Sequence, residues 1–595
     1  MNRPLGDIGQ SIGSTSRGTR LSLAIAVVII LLVGVLLLLG TNEEAVRHRL
    51  AHWTGEDDLR EQIKGTGALV LLRLGQFSPR TEPYLPMIHS SLPPYGINTF
   101  LEQEAEPEKV ELSLRFISDA GFTWIRQQFP WEDIEISGKG DFWDHRWNKS
   151  AWAKYDYIVE TAERYGLRVI ARLDNPPAWS RRAGNAKGWE IAPPDDFEDY
   201  GDFVYAVVSR YKGRIKYYQI WNEPNIYPEW GDQPADPAGY VRLLQIAYRR
   251  AKQADPDCVI IAAGLAQTTE ETPAEFGPRN MSDLLYLEKM YQAGVKGSFD
   301  IMGAMVYGLW TGPYDLRVSR DRSNFSRVQL LREIMVRYGD GHKPIWATEV
   351  GWNALPEDFP GFANFGRVSE EKQAVYAVEA YRRAAREWPW MGVMNYWFFR
   401  RPSDAEKGQT WYYFRMLEPD FTPLPVYSAM RWLTHQPPTM PIGYHQEDHW
   451  TLNYEGSWQR VRDERAILGS YALGARGAVL GFFFEGTELN LALRLLDEHP
   501  QVSIMLDNRP VHVAIPDKII PADTVVVPLL HSLPDMRHRI LISVDEGQLA
   551  LDGILVKRAS PWQRWNSGIA IIAILGTLGL ACYGTRRQPR SGDAG

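Results

Sequence analysis

Eight short apolar runs, each followed by a stretch with helical spacing, constrain this chain more than any other feature. The runs are YGINTF from Tyr95, FTWIRQQF from Phe122, LRVIARL from Leu167, KYYQIW from Lys216, CVIIAAG from Cys258, FDIMGAMVY from Phe299, PIWATEV from Pro344 and VMNYWFF from Val393. Each is too short for a helix, rich in β-branched and aromatic residues, and almost continuously apolar, as strands covered on both faces are. Between them lie segments such as DPAGYVRLLQIAYRRAKQADPD and SEEKQAVYAVEAYRRAAREW, where apolar positions recur at three and four. Asp236 and Ser369 stand where the helix caps should fall. Eight strand–helix repeats over roughly 340 residues fit a closed (β/α)8 barrel spanning 94–435. An open doubly wound sheet is the alternative, but no G-x-G-x-x-G follows the first strand.

After Thr434 the pattern changes. HQPPTMP reads as a linker, and the short strands beyond it, separated by turns, predict a β-sandwich over 436–560. HQEDH, from His445 to His449, lacks the H-E-x-x-H order of a zinc site and reads as a solvated loop. Both ends carry apolar runs. Residues 21–40, LSLAIAVVIILLVGVLLLLG, are uncharged and long enough for a transmembrane helix, with a signal peptide as the rival reading. A shorter run at 566–584 is preceded by Trp562 and Trp565, placed as interface anchors would be. Arg3, Arg17 and Arg20 on one side, and Arg586, Arg587 and Arg590 on the other, make 1–20 and 585–595 cytoplasmic tails by the positive-inside rule. The expected fold class is therefore α/β: a barrel, then a β-sandwich, flanked by N- and C-terminal transmembrane helices, with 41–93 a juxtamembrane segment. The expected localisation is a two-span cell-membrane protein with its catalytic domain on the extracytoplasmic side.

A net charge of −8 argues against a nucleic-acid partner. The only cysteines, Cys258 and Cys582, cannot supply a disulfide framework or a thiolate metal site. The 22 Trp and 28 Tyr suit stacking on a flat polar ligand such as a sugar, although large cores also use them.

Reactive groups of such a barrel gather where the strands end. IWNEPN closes the fourth run and IWATEVGWN the seventh, so Glu223 and Glu349 leave apolar strands at the same face. Neither has a local structural reason to be acidic, while glycoside hydrolysis needs such a pair, one carboxyl to protonate the leaving oxygen and one to attack.

These motifs resemble those of glycoside hydrolase clan A, whose TIM barrels carry Asn-Glu after strand four and Glu after strand seven. WNEPN is similar to its acid/base motif and TEVGW to its nucleophile motif. GFTWIRQQFPWEDIE resembles the strand-two segment that carries an arginine, ARLDNPPAW the strand-three turn of family 39, and NYWFF the end of strand eight; family 5 is the other close flavour. The resemblance implies Glu223 as general acid/base and Glu349 as nucleophile, without metal or cofactor. It further implies that Asn222 binds the sugar 2-hydroxyl, Arg126 and Tyr307 support Glu349, and Trp397 stacks on sugar. The alternative readings are Arg126 as only a barrel ion-pair partner, and Tyr307 and Trp397 as only packing. Met305 departs from family 39, which places histidine there, and this puts the sugar in doubt. The sandwich resembles galactose-binding-like jelly rolls, with Trp458 either a contact or a core residue.

The expected function is a membrane-anchored retaining glycoside hydrolase whose partners are an extracytoplasmic polysaccharide or oligosaccharide and the membrane. The alternative is a non-catalytic glycan-binding or exopolysaccharide-assembly protein on a hydrolase-like barrel.

Overall fold

The computed structural model describes residues 43–74, 78–181, 191–270, 279–494, 496, 500–512 and 524–559, which divide into two compact units at Pro437/Pro438. In the first unit, eight parallel strands close into a barrel: β1 (Tyr95–Thr99), β2 (Trp124–Pro130), β3 (Arg168–Asp174), β4 (Tyr217–Ile220), β5 (Val259–Leu265), β6 (Ile301–Met305), β7 (Ile345–Val350) and β8 (Met391–Tyr396). Each strand pairs with its neighbours in chain order, and β8 pairs with β1.

The helices between strands form for identifiable reasons. Pro237 opens the helix Pro237–Ala254, and the Asp236 carboxylate accepts from the Gly239 N–H at 2.9 Å. Its buried face, including Tyr240, Leu243, Leu244, Ala247 and Ala251, follows the three-and-four spacing and packs on the barrel wall. Ser369 caps the helix Glu370–Glu387 in the same way. Two tyrosines reach from helices to strand ends. Tyr200 donates to the Leu173 carbonyl at 2.6 Å, and Tyr240 donates to the Ile220 carbonyl at 3.0 Å while accepting from Ala263 N–H at 2.7 Å. They satisfy main-chain groups where the ladder runs out.

The lower half of the barrel interior is filled by apolar and aromatic side chains. Trp124, Tyr217 and Trp346 meet there at centroid distances of 5.0–5.4 Å, surrounded by Ile170, Val259, Ile261, Ile301 and Val393. The Trp124 indole donates to the Pro93 carbonyl at 2.8 Å, so the chain entering β1 covers that end. Above this layer the interior turns polar, beginning with Asn98, Arg126 and Gln219.

Helices Glu43–Thr54 and Leu59–Leu74 belong to the same compact unit as the barrel. Arg317 donates to the Thr54 carbonyl and the Glu56 carboxylate at 2.7 and 2.6 Å, and Gly312 N–H donates to the Gly55 carbonyl. Among the described residues no helix is long and apolar enough to cross a membrane. The segments 21–40 and 566–584 lie outside the described residues. The two flanking transmembrane helices expected from the sequence, and the membrane partner, membrane anchoring and two-span localisation that rest on them, find no support among the described residues.

In the second unit, two six-stranded sheets share one hydrophobic core that includes Leu480, Phe482, Phe484, Leu491, Ile540, Ile542 and Ile554. Trp458 packs against that core, 4.8 Å from Tyr454. His445 and His449 are not in a solvated loop. Both are buried with rings 4.5 Å apart, and burial pushes His445 down to about 4, which keeps the pair neutral.

Candidate active site

The two glutamates reach the mouth of the barrel because strand alternation breaks twice. On β4, Tyr217 and Gln219 point inward, so Trp221 should follow them. Instead Trp221 takes φ +69°, and its indole turns outward to pack with Tyr200 and Trp230. Glu223 is also left-handed, at φ +41°. Such backbone is costly for non-glycine residues and persists where neighbours over-determine it. Here Trp221 N–H donates to the Leu173 carbonyl at 3.0 Å, Glu223 N–H to Gly264 at 3.1 Å, and the Trp221 indole to the Glu229 carbonyl at 2.8 Å. Asn225 pins the following turn through the carbonyls of Ala266 and Met281.

On β7, Trp346 points inward while Ile345 and Ala347 belong to the outer core, so strict alternation would send Glu349 out. The β6–β7 register shifts between Ala304 and Met305, and the β7–β8 register shifts between Met394 and Tyr396. Irregularities of this kind re-aim side chains beside functional sites. Glu349 thus enters the mouth.

Arg126 organises what it finds there. Its guanidinium donates to Glu349 Oε1 at 3.1 Å, Asn98 Oδ1 at 2.6 Å, Gln219 Oε1 at 2.7 Å and Asn222 Oδ1 at 2.8 Å. Tyr307 donates its hydroxyl to Glu349 Oε2 at 2.5 Å. Each Glu349 oxygen thus faces a donor, an arrangement that complements negative charge. Glu223 is half-buried and differently placed. Burial, together with the charges of Glu349 and Glu229, pushes its carboxyl well above the ordinary range. The two carboxyls thus sit in unequal surroundings, Glu349 with a donor on each oxygen and Glu223 held toward its neutral form by burial and neighbouring charge.

Trp397 stands in an aromatic cluster with Phe100, Phe398, Phe414 and Tyr307, its ring 5.4 Å from Phe100. Met305 is buried, its sulfur 3.4 Å from the Thr348 hydroxyl. Of the six residues singled out from sequence, Arg126, Asn222, Tyr307 and Glu349 share one set of hydrogen bonds, Glu223 follows Asn222 in the chain, and Trp397 follows β8 in the aromatic cluster that includes Tyr307.

Sequence reasoning missed a second group. Arg172 Nε lies 2.8 Å from Asp174 Oδ2, and Gln128 donates to Asp174 Oδ1 at 2.8 Å. Burial pushes Glu229 up to about 7, against the opposing pull of Arg172 and a hydrogen bond from the Asn222 side chain. Glu229 stands six residues after Glu223, in a stretch whose only local signal is turn-forming; the Trp221 indole that bonds its carbonyl is what folds it back.

No family model matches the chain. It is similar to the chloroplastic beta-glucosidase-like SFR2 of Oryza sativa subsp. japonica, with 24% identity over 119 residues, 20% of this chain and 18% of that protein. The chain spans about a fifth of the length of the curated relatives it matches. Among solved structures, a family 39 glycoside hydrolase from Bacteroides cellulosilyticus WH2 is 18% identical with a TM-score of 0.44, covering 77% of this chain and 82% of that one. The GH39 enzyme from Xanthomonas axonopodis pv. citri is 13% identical with a TM-score of 0.41, covering 79% and 96%. At these identities and TM-scores the likeness assigns no particular family, and the barrel rests on its own strand pairing.

Proposed function

We propose that this protein is a retaining glycoside hydrolase acting on O-glycosidic bonds of an oligosaccharide or polysaccharide. The observation that carries the reading is the unequal environment of Glu223 and Glu349 at one barrel mouth. Environments that set two carboxyls apart assign acid and nucleophile.

Glu349, with a donor on each oxygen, attacks the anomeric carbon. As the C–O bond breaks, Glu223 gives its proton to the leaving oxygen, and a glycosyl ester forms on Glu349. Glu223, now a carboxylate, takes a proton from water, whose oxygen displaces Glu349 and releases the sugar with its configuration retained. Asn222, held by Arg126, is placed beside Glu223 to bond a sugar hydroxyl as positive charge grows at the anomeric carbon. Trp397 offers an aromatic face at the same mouth.

Trapping tests this. A 2-deoxy-2-fluoro glycoside with a good leaving group forms its ester quickly and loses it slowly. Mass spectrometry should find the adduct on the peptide containing Glu349. An adduct elsewhere, or none across gluco-, xylo-, manno- and galacto-configured reagents, rejects the assignment; a glycan-binding protein without turnover forms none.

A further inference from the structure

The loops after β5, β6 and β7 line an open cavity of about 590 Å³, lined by none of the residues assigned to the two-glutamate centre. That volume is in the range of small-molecule sites, about 300–1,000 Å³. Its inner wall connects to the centre. Gln267 accepts from the Tyr307 main-chain N–H at 2.8 Å, and the Tyr307 hydroxyl donates to Glu349. Phe365 packs edge-on against Phe414 at 6.1 Å, and Phe414 meets Tyr307 at 5.4 Å.

Another part of the wall is Trp310, 57% exposed. A single exposed indole on a convex surface would mean little; this one walls a cavity and sits on fixed backbone. Leu309 is left-handed at φ +56°. Gly366 lies so close that a Cβ there would meet the Leu309 carbonyl oxygen at 2.2 Å. The Trp352 indole donates to the Thr311 carbonyl at 2.8 Å, which holds the far side of the turn. A face presented this way loses little freedom when a ligand covers it.

The remaining lining includes the Thr268 and Ser323 hydroxyls, the Asn364 amide and the Arg322 guanidinium, and Arg322 is already 3.5 Å from Asp315. Asp321 also lines the cavity, so its two charged groups are of opposite sign; one flat apolar face with hydrogen-bonding groups around it matches a pyranose ring, which has C–H faces and a rim of hydroxyls.

We propose that this cavity is a second sugar subsite, in which Trp310 stacks on one ring of a neutral glycan whose neighbouring part occupies the Glu223–Glu349 centre. The proposal rests on the glycoside-hydrolase reading and deepens it: the substrate is a chain, and recognition extends past the bond that is cut.

The test uses the full chain carrying Glu349→Gln, so that ligands are not consumed, and calorimetry with gluco-, xylo-, manno- and galacto-oligosaccharides of one to six units. Affinity should rise with chain length in at least one series. Adding Trp310→Ala should weaken the longer members about tenfold, the factor that ~1.4 kcal/mol produces, while Trp310→Phe keeps most of the affinity. With Glu349 intact, Trp310→Ala should lower the ratio of kcat/KM for the hexamer to kcat/KM for the 2,4-dinitrophenyl monoglycoside by a similar factor. Equal chain binding with and without Trp310 overturns the subsite and leaves the hydrolase reading standing, as does failure of every series to bind. Loss of chain binding in Trp310→Ala from a protein that turns nothing over leaves the subsite and removes the hydrolase reading.

Discussion

Arg126 and Glu349 meet at 3.1 Å with side chains only 2% and 6% exposed, and the same guanidinium reaches Asn222, the residue before Glu223. A single cation from β2 thus ties the end of β7 to the end of β4. Removing one partner of a buried pair strands the other, at about 3–5 kcal/mol. Arg126→Met should lower the urea-unfolding free energy by about that amount. The double variant with Glu349→Gln should recover part of the loss, because no unpaired charge remains. Equal stabilities for the single and double variants would show that the pair is not coupled.

The two glutamates should fail differently. Glu349→Ala should abolish turnover of glycans and activated aryl glycosides alike, since no ester forms. Glu223→Ala should lose about 10²–10⁴-fold on unactivated glycosides, the usual contribution of a general acid. It should still show a burst with 2,4-dinitrophenyl glycosides, then a slow steady state that azide accelerates. Identical burst kinetics in the two variants would reverse or dissolve the roles.

Stereochemistry supplies an independent check. A retaining pair stands about 5–5.5 Å apart and returns the anomer it received. Proton NMR of the first-formed product, followed before mutarotation, should show the starting configuration; inversion would exclude Glu349 as a nucleophile.

Tyr307 donates to Glu349 from the end of β6. A hydrogen bond to a charged group contributes about 1.5–3 kcal/mol, so Tyr307→Phe should cost roughly 10–150-fold in kcat/KM. The ring still packs on Phe414, so Tm should move little. A large fall in Tm with unchanged kcat/KM would make the tyrosine a packing residue.

The raised carboxyls fix the sign of a pH effect. Between the unfolded value of about 4.5 and the raised folded value, the unfolded chain has already lost a proton that the folded chain keeps, so stability falls as pH rises. For Glu229 that window ends near 7; for Glu223 it extends upward from the same start. Glu229→Gln should flatten the decline of Tm between about pH 5 and pH 7. It should also move the alkaline limb of kcat/KM to lower pH, because the Glu229 charge helps to hold the proton on Glu223. A limb that stays in place would separate the two groups.

Much of this was legible in the sequence, for a physical reason. Strands buried on both faces must be apolar throughout, so runs such as CVIIAAG announce Val259–Leu265 without help from alternation. Asn222, Glu223 and Glu349 were visible as polar residues at the ends of such runs. Their orientation was not. Period-two reasoning from Trp346 sends Glu349 out of the barrel, and only register shifts between strands far apart in sequence bring it back. Glu229, Arg172 and Asp174 come together by tertiary folding, and HQEDH looked solvated because nothing local shows His445 and His449 packing on each other in a buried unit.

The aromatic layer of Trp124, Tyr217 and Trp346, with the Pro93 carbonyl bonded beneath it, makes the barrel a blind well. Traffic has one door. A polymer cannot thread through the molecule; it can only lie across the rim or dip an end toward the carboxyls. Whatever reaches the carboxyls must leave by the side it entered, so one occupant has to clear before the next can arrive.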